Sequence, residues 1–104
     1  MKMWKFVIIG VISTLSAACP EICRCSGKKV YCNDRQLRKI PENIPTETEV
    51  LYLQDNELQS SSNLDLSLSK LQNLEKVMLY GNKLTSVPKL NSHKLRHLSL
   101  NSNR

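Results

Sequence analysis

Several features that would point to familiar activities are missing from this chain of 104 residues. No apolar run approaches the about 20 residues that a bilayer-spanning helix needs. There is no phosphate-cradling glycine loop, no nucleophile elbow and no carboxylate pair, so neither catalysis nor a small-molecule substrate is expected. His93 and His97 stand four apart, a spacing that would suit a metal on a helix. The intervening Lys94-Leu95-Arg96 lacks the glutamate of a zinc-protease motif, and the repeat register described below puts His97 in a strand. No metal and no cofactor are expected. An Asn-x-Ser/Thr acceptor for N-glycosylation is also missing.

What is present begins with an address. Met1 to Lys5 carries two lysines, Phe6 to Leu15 is a short apolar run, and Ser16-Ala17-Ala18 supplies small residues before Cys19. That order is the charged, apolar and small-residue sequence of a secretory signal peptide. A bacterial lipoprotein signal would also place cysteine after small residues, but Ser16 occupies the position where such signals carry leucine. Cleavage before Cys19 and export are expected, leaving 86 of the 104 residues and taking the formal charge from +6 to +4. Export excludes nucleic acid as a partner. Lys28, Lys29, Arg35, Arg38 and Lys39 gather early in the mature chain and read as a solvated face or as a weak patch for an acidic partner such as a glycosaminoglycan.

All four cysteines, Cys19, Cys23, Cys25 and Cys32, fall within fourteen residues. In an oxidising compartment an even, close set is a disulfide framework. A Cys23–Cys25 bond would strain its tight loop. Cys19–Cys25 with Cys23–Cys32, and Cys19–Cys23 with Cys25–Cys32, both remain open. A zinc site fits badly, because one gap holds a single residue and no histidine lies nearby.

The rest of the chain repeats itself. Thr48-x-x-Leu51-x-Leu53-x-x-Asn56-x-Leu58 aligns with Leu74-x-x-Val77-x-Leu79-x-x-Asn82-x-Leu84, and a third copy runs Leu95-x-x-Leu98-x-Leu100-x-x-Asn103. The asparagines recur after 26 and then 21 residues. Apolar residues two apart share one side of a strand, so Leu51 with Leu53, Val77 with Leu79, and Leu98 with Leu100 enter a core. Apolar positions at i, i+3, i+5 and i+10 trace no helical stripe. Each asparagine stands where the chain leaves its strand, and its amide can bond backbone groups that the turn leaves unpaired. Stacked copies build a continuous core that no single copy could bury. The return after Leu58 suits a loop and one short helical turn carrying Leu64, Leu66, Leu68 and Leu71. The return Thr85 to Leu90 is brief, and Pro88 favours extended backbone. The predicted architecture is an α/β leucine-rich-repeat solenoid with short parallel strands on its concave face. Its segments are a signal at 1–18, a cap at 19–47, and repeats at 48–73, 74–94 and, in part, 95–104. The last repeat should leave Leu98 and Leu100 uncovered and the turn of Asn103 without bonding partners, making the chain marginally stable.

Val30-x-Cys32-x-x-x-x-Leu37-x-x-Ile40-Pro41 imitates a repeat with Cys32 in a leucine slot, and Leu37 to Leu58 keeps the 21-residue register. Cys19-Pro20-Glu21-Ile22-Cys23-Arg24-Cys25-Ser26-Gly27-Lys28-Lys29-Val30-Tyr31-Cys32 resembles the N-terminal cysteine-rich cap of extracellular leucine-rich-repeat proteins. Ile40 to Thr48 resembles the run from such a cap into the first repeat. Slit proteins, jawless-fish variable lymphocyte receptors, small leucine-rich proteoglycans and Nogo-receptor-like proteins share this layout. The resemblance implies pairing of Cys19 with Cys25 and of Cys23 with Cys32, and a solenoid that binds other proteins. Two departures stand out: Leu68 replaces a commonly found phenylalanine, and family members carry more repeats and a C-terminal cap.

Strand residues that alternate away from the leucines line the concave face. Register puts Lys29, Tyr31 and Asn33 on the cap strand, then Val50, Tyr52 and Gln54, then Lys76, Met78 and Tyr80, then His97, Ser99 and Asn101. Across the sheet this predicts a ladder of Tyr31, Tyr52, Met78 and Ser99, a composition suited to anchoring an extracellular or cell-surface protein. Ser26-Gly27 has no acidic cluster beside it and reads as a plain turn. The expected function is adhesion, guidance or recognition through that face. The alternatives are a matrix role of the proteoglycan kind, or the front of a larger receptor or matrix enzyme.

Overall fold

A computed structural model describes residues 19–103, so the signal-peptide expectation for 1–18 lies outside the described residues. Five three-residue strands form one sheet in chain order: β1 (Arg24–Ser26), β2 (Lys29–Tyr31), β3 (Val50–Tyr52), β4 (Lys76–Met78) and β5 (His97–Ser99). Strands β2 to β5 are parallel and stack without offset, so Val30, Leu51, Val77 and Leu98 stand level across the sheet. This is the leucine-rich-repeat solenoid that the spacing predicts. Backbone bonds continue the ladder past the strands, as Leu53 N donates to Met78 O and Leu79 N to Ser99 O.

The first pair was not foreseen. Strand β1 runs antiparallel to β2, with Arg24 opposite Tyr31 and Cys25 opposite Val30. Gly27 makes this hairpin possible at φ +61, a left-handed value that glycine takes without steric cost in a two-residue turn. Cys19 bonds Cys25 and Cys23 bonds Cys32. Cys32 is fully buried in the core beside Val30 and Leu51.

One core runs from Val30 to Leu84, with Leu51, Leu53, Leu58, Leu68, Leu74, Val77 and Leu79 entirely withdrawn from solvent. Leu95, Leu98 and Leu100 pack on its end only half-buried. Thr48 departs from the leucine template but is buried as deeply as the leucines, because its hydroxyl donates to Pro45 O at 2.6 Å. A buried hydroxyl so satisfied costs little.

The return after Leu58 holds a longer helix than the single turn predicted: α1 spans Ser62–Ser69. Ser61 caps it by accepting from Leu64 N at 3.0 Å, which starts the helix ahead of the leucines that suggested it. Leu64 and Leu68, four apart, are its buried stripe, and Leu66 stays 60% exposed. The second return carries neither helix nor strand over 85–90. It is tied to the first by Ser60 Oγ, which accepts from Thr85 N and Ser86 N, and by Asp65 Oδ1, which accepts from Lys89 N.

One position of the repeat has a conformational demand that its residue types conceal. Asp34, Asp55, Gly81 and Ser102 follow the strands at equivalent places, and all have left-handed φ between +58 and +72. Only Gly81 adopts this freely, and a Cβ there would also press on Asp55, whose Cγ and backbone nitrogen would both lie at 3.3 Å. Gly81→Ala should therefore destabilise the chain by about 1–2 kcal/mol. Thermal unfolding checks this, and an unchanged midpoint would count against the strain.

Candidate functional site

The sheet presents its outward side chains in three level rows. Lys29, Val50, Lys76 and His97 form the first, and Tyr31, Tyr52, Met78 and Ser99 the second, since each set is joined by strand register. Gln54, Tyr80 and Asn101 form the third just beyond the strands, level because their carbonyls accept from Asp34, Asp55 and Gly81. Register thus puts the predicted Lys29, Tyr31, Val50, Tyr52, Gln54, Lys76, Met78, Tyr80, His97, Ser99 and Asn101 in these rows. Val50, Tyr52, Gln54, Lys76, Met78 and Tyr80 are half-buried, while His97 and Asn101 are exposed.

The second row is the most ordered of the three. Tyr31 and Tyr52 stack with ring centroids 4.6 Å apart and planes within 3°. Such a pair presents a broad, rigid aromatic surface at low cost in side-chain entropy. Arg24, which sequence reasoning missed, extends the row onto the hairpin, with its guanidinium carbon 5.9 Å from the centroid of the Tyr31 ring. A cation over an aromatic face is a favourable contact. Ser26-Gly27 signals the turn in the sequence, but nothing in Arg24-Cys25-Ser26 marks the strand before it. In the third row Gln54 Oε1 is buried with no hydrogen-bond partner among the described residues.

An asparagine ladder ties together the turns that follow β3, β4 and β5. Asn56 Nδ2 donates to Cys32 O and Leu53 O, and its Oδ1 accepts from Arg35 N and Leu37 N. Asn82 repeats the arrangement one copy later, donating to Leu53 O and Leu79 O and accepting from Leu58 N. Each asparagine therefore joins its own turn to the preceding one. This corrects the expectation for Asn103. Its Nδ2 donates to Leu79 O and Leu100 O and its Oδ1 accepts from Leu84 N, because an asparagine's partners lie behind it in the solenoid.

The early basic residues do not come together as a patch. Lys28 and Lys29 stand at the start of β2, whereas Arg35, Arg38 and Lys39 follow the turn at its other end. Lys28 pairs with Glu49 and Arg38 with Glu57, each at 3.5 Å. His93 lies in the turn before β5 and His97 in β5 itself.

A disulfide-capped parallel sheet backed by a leucine core, with an asparagine at the exits of β3, β4 and β5, defines a leucine-rich-repeat module with an N-terminal cap. Residues 18–45 match the family model of the leucine rich repeat N-terminal domain. The chain is 38% identical over 86 residues to leucine-rich repeat transmembrane protein FLRT2 of Homo sapiens, covering 81% of this chain and 13% of that one. The same protein of Rattus norvegicus matches at 38% over 86 residues, with the same coverage. Among solved structures, a chain of the octameric complex of Latrophilin 3 (Lec, Olf), Unc5D (Ig, Ig2, TSP1) and FLRT2 (LRR) superposes with a TM-score of 0.72 at 37% identity, over 83% of this chain and 26% of that one. The present chain thus spans about an eighth of the length of these relatives.

Proposed function

We propose that this chain is the N-terminal part of a cell-surface or secreted recognition protein, acting in adhesion or guidance, that binds the ectodomain of another protein through its concave sheet. Residues 1–18 are its export signal, 19–47 its cap, and 48–73, 74–94 and 95–104 its repeats. The observation that carries this reading is the level row of Tyr31, Tyr52 and Met78, with two rings stacked on the outward side of the sheet. Aromatic side chains and methionine are enriched at protein interfaces, and rigid ones lose little entropy on binding. The site residues are Tyr31, Val50, Tyr52, Gln54, Lys76, Met78, Tyr80, His97, Ser99 and Asn101, with Arg24 added by the hairpin. None is assigned a catalytic role, and the chain is read as a binding module rather than an enzyme. A relative found in one assembly with Latrophilin 3 and Unc5D makes receptor ectodomains of those kinds the first partners to try.

The test is binding of the full-length secreted ectodomain to immobilised latrophilin 3 and Unc5D ectodomains. Tyr52→Ala should weaken binding roughly tenfold or more, as loss of a central aromatic anchor does. Leu66→Ser, on the opposite side in α1, should leave it unchanged. Binding that survives Tyr52→Ala but is lost in Leu66→Ser would move the site to the convex face.

A further inference from the structure

Charge is unevenly placed along this chain. From Lys76 onward there is no aspartate or glutamate, while six of the 15 lysines and arginines fall there. Between Cys19 and Glu75, seven basic residues are outnumbered by all nine acidic ones. The fold concentrates part of this imbalance. Lys76 at the start of β4 is the register partner of His97 at the start of β5. The turn leading into β5 brings His93, Lys94 and Arg96 to the same end of the sheet, because Arg96 N and His97 N both donate to Glu75 O, at 2.8 and 3.1 Å.

That turn is built rather than loose. Ser92 Oγ donates to Leu74 O at 2.6 Å and accepts from Lys94 N at 3.2 Å, which pins the turn to the preceding repeat. The Lys94 ammonium donates to Asn73 Oδ1 at 3.3 Å, which sets the direction of its side chain without neutralising it. His93, Lys94, Arg96 and His97 are exposed and Lys76 half-buried. The ion pairs among the described residues are Lys28–Glu49 and Arg38–Glu57, so Lys76, Lys94 and Arg96 keep their charges unpaired. Glu75, half-buried beneath the turn, is the acidic residue next to them.

We propose that the rim formed by Lys76, His93, Lys94, Arg96 and His97 binds a sulfated glycosaminoglycan. Protein interfaces have apolar or aromatic cores and are depleted in lysine. The rim shares Lys76 and His97 with the end of the concave sheet, but His93, Lys94 and Arg96 lie beyond it, and the turn's large apolar residue, Leu95, packs against the core, so these three offer nothing apolar for the core of a protein interface. Unpaired cations on an exposed edge instead suit a regular polyanion, whose condensed counterions are released on binding. The planar guanidinium of Arg96 can hold two oxygens of one sulfate group, and the ammonium of Lys94 acts as a compact point charge beside it. The site is distinct from the early basic residues, two of which are paired with glutamates.

The test is retention of the full-length secreted protein on immobilised heparin, eluted with sodium chloride. The native chain should elute well above the about 0.15 M of physiological ionic strength. Lys94→Gln with Arg96→Gln should elute much earlier and reduce the slope of log affinity against log salt by roughly two, about one for each cation removed. Arg38→Gln with Lys39→Gln removes the same net charge elsewhere and should leave elution unchanged. Retention of receptor-ectodomain binding and of both disulfides by mass would show that the rim variant is folded. Equal shifts in both variants would reduce the effect to net charge and overturn the site. So would rim-dependent capture of poly-glutamate with no rim-dependent heparin retention, which would make the partner an acidic protein. Loss of protein binding through Tyr52→Ala with heparin retention intact would leave this inference standing.

Discussion

Replacing Asn56 by alanine should cost the folded chain roughly 3 kcal/mol, since three backbone groups lose a partner: one is left buried and unpaired at about 1–3 kcal/mol, and two partly buried ones lose bonds worth about 1 kcal/mol each. Those groups are Arg35 N, Leu37 N and Cys32 O. Leu53 O loses one bond but keeps another, because Asn82 also donates to it. The same bookkeeping ranks the other two asparagines. In Asn82→Ala only Leu58 N is stranded, since Leu53 O keeps Asn56 and Leu79 O keeps Asn103, so about 2 kcal/mol is expected. Asn103 is half-buried and its partners can reach water more easily, so its replacement should cost the least.

The sharper test is Asn56→Asp, which is nearly the same shape. It preserves the oxygen that accepts from Arg35 N and Leu37 N, but turns a second oxygen toward Cys32 O and Leu53 O, where the amide had donated. An unpaired anion against two carbonyls in a site only 7% exposed should destabilise at least as much as alanine. Domains have about 0.05–0.15 kcal/mol of stability per residue, so either change approaches what a chain of this length can lose. Guanidinium unfolding gives the ranking directly. A neutral Asn56→Asp would show that the amide hydrogens are not what the position requires.

What could be read without coordinates was whatever the repeat made periodic. Leu51, Leu53, Val77 and Leu79 declared themselves by recurring two apart, and the outward alternation then placed Tyr31, Tyr52 and Met78 in one row. The strand register follows from stacking because a slip would turn the leucines to solvent. Features that do not recur in residue type were illegible. The left-handed position is held by Asp34, Asp55, Gly81 and Ser102, and glycine alone advertises it. Strand β1 has Cys25 as its only inward residue, so no alternation marked it. The direction of the asparagine bonds was hidden as well, since spacing says that a turn needs an amide but not which neighbour supplies its partners.

The two disulfides lie close in sequence, yet their removal should have unequal consequences. In the chain-entropy account, separations of six and nine residues predict similar losses, about 2 kcal/mol for Cys19–Cys25 and about 2.5 for Cys23–Cys32. Location separates them. Cys19 and Cys25 are only half-buried, and Cys25 lies on β1, the edge strand of the sheet. Cys32 is fully buried in the slot that leucine fills in later repeats, so Cys23→Ala with Cys32→Ala also loses core packing, raising the cost to about 3–4 kcal/mol. Serine at both positions should be worse again by about 1–3 kcal/mol, because a hydroxyl at position 32 would be buried without an arranged partner. Cys23→Ala with Cys32→Val should recover part of the alanine loss, since valine refills an apolar slot without restoring the cross-link. Unfolding midpoints and secreted yield should therefore fall in the order Cys19/Cys25 to alanine, Cys23→Ala with Cys32→Val, Cys23/Cys32 to alanine, and Cys23/Cys32 to serine. Equal effects of the two alanine pairs would mean that the bond at Cys32 acts only as a tether. Equal effects of alanine and serine would mean that the slot is wet, and that the cap does not close the core at this end.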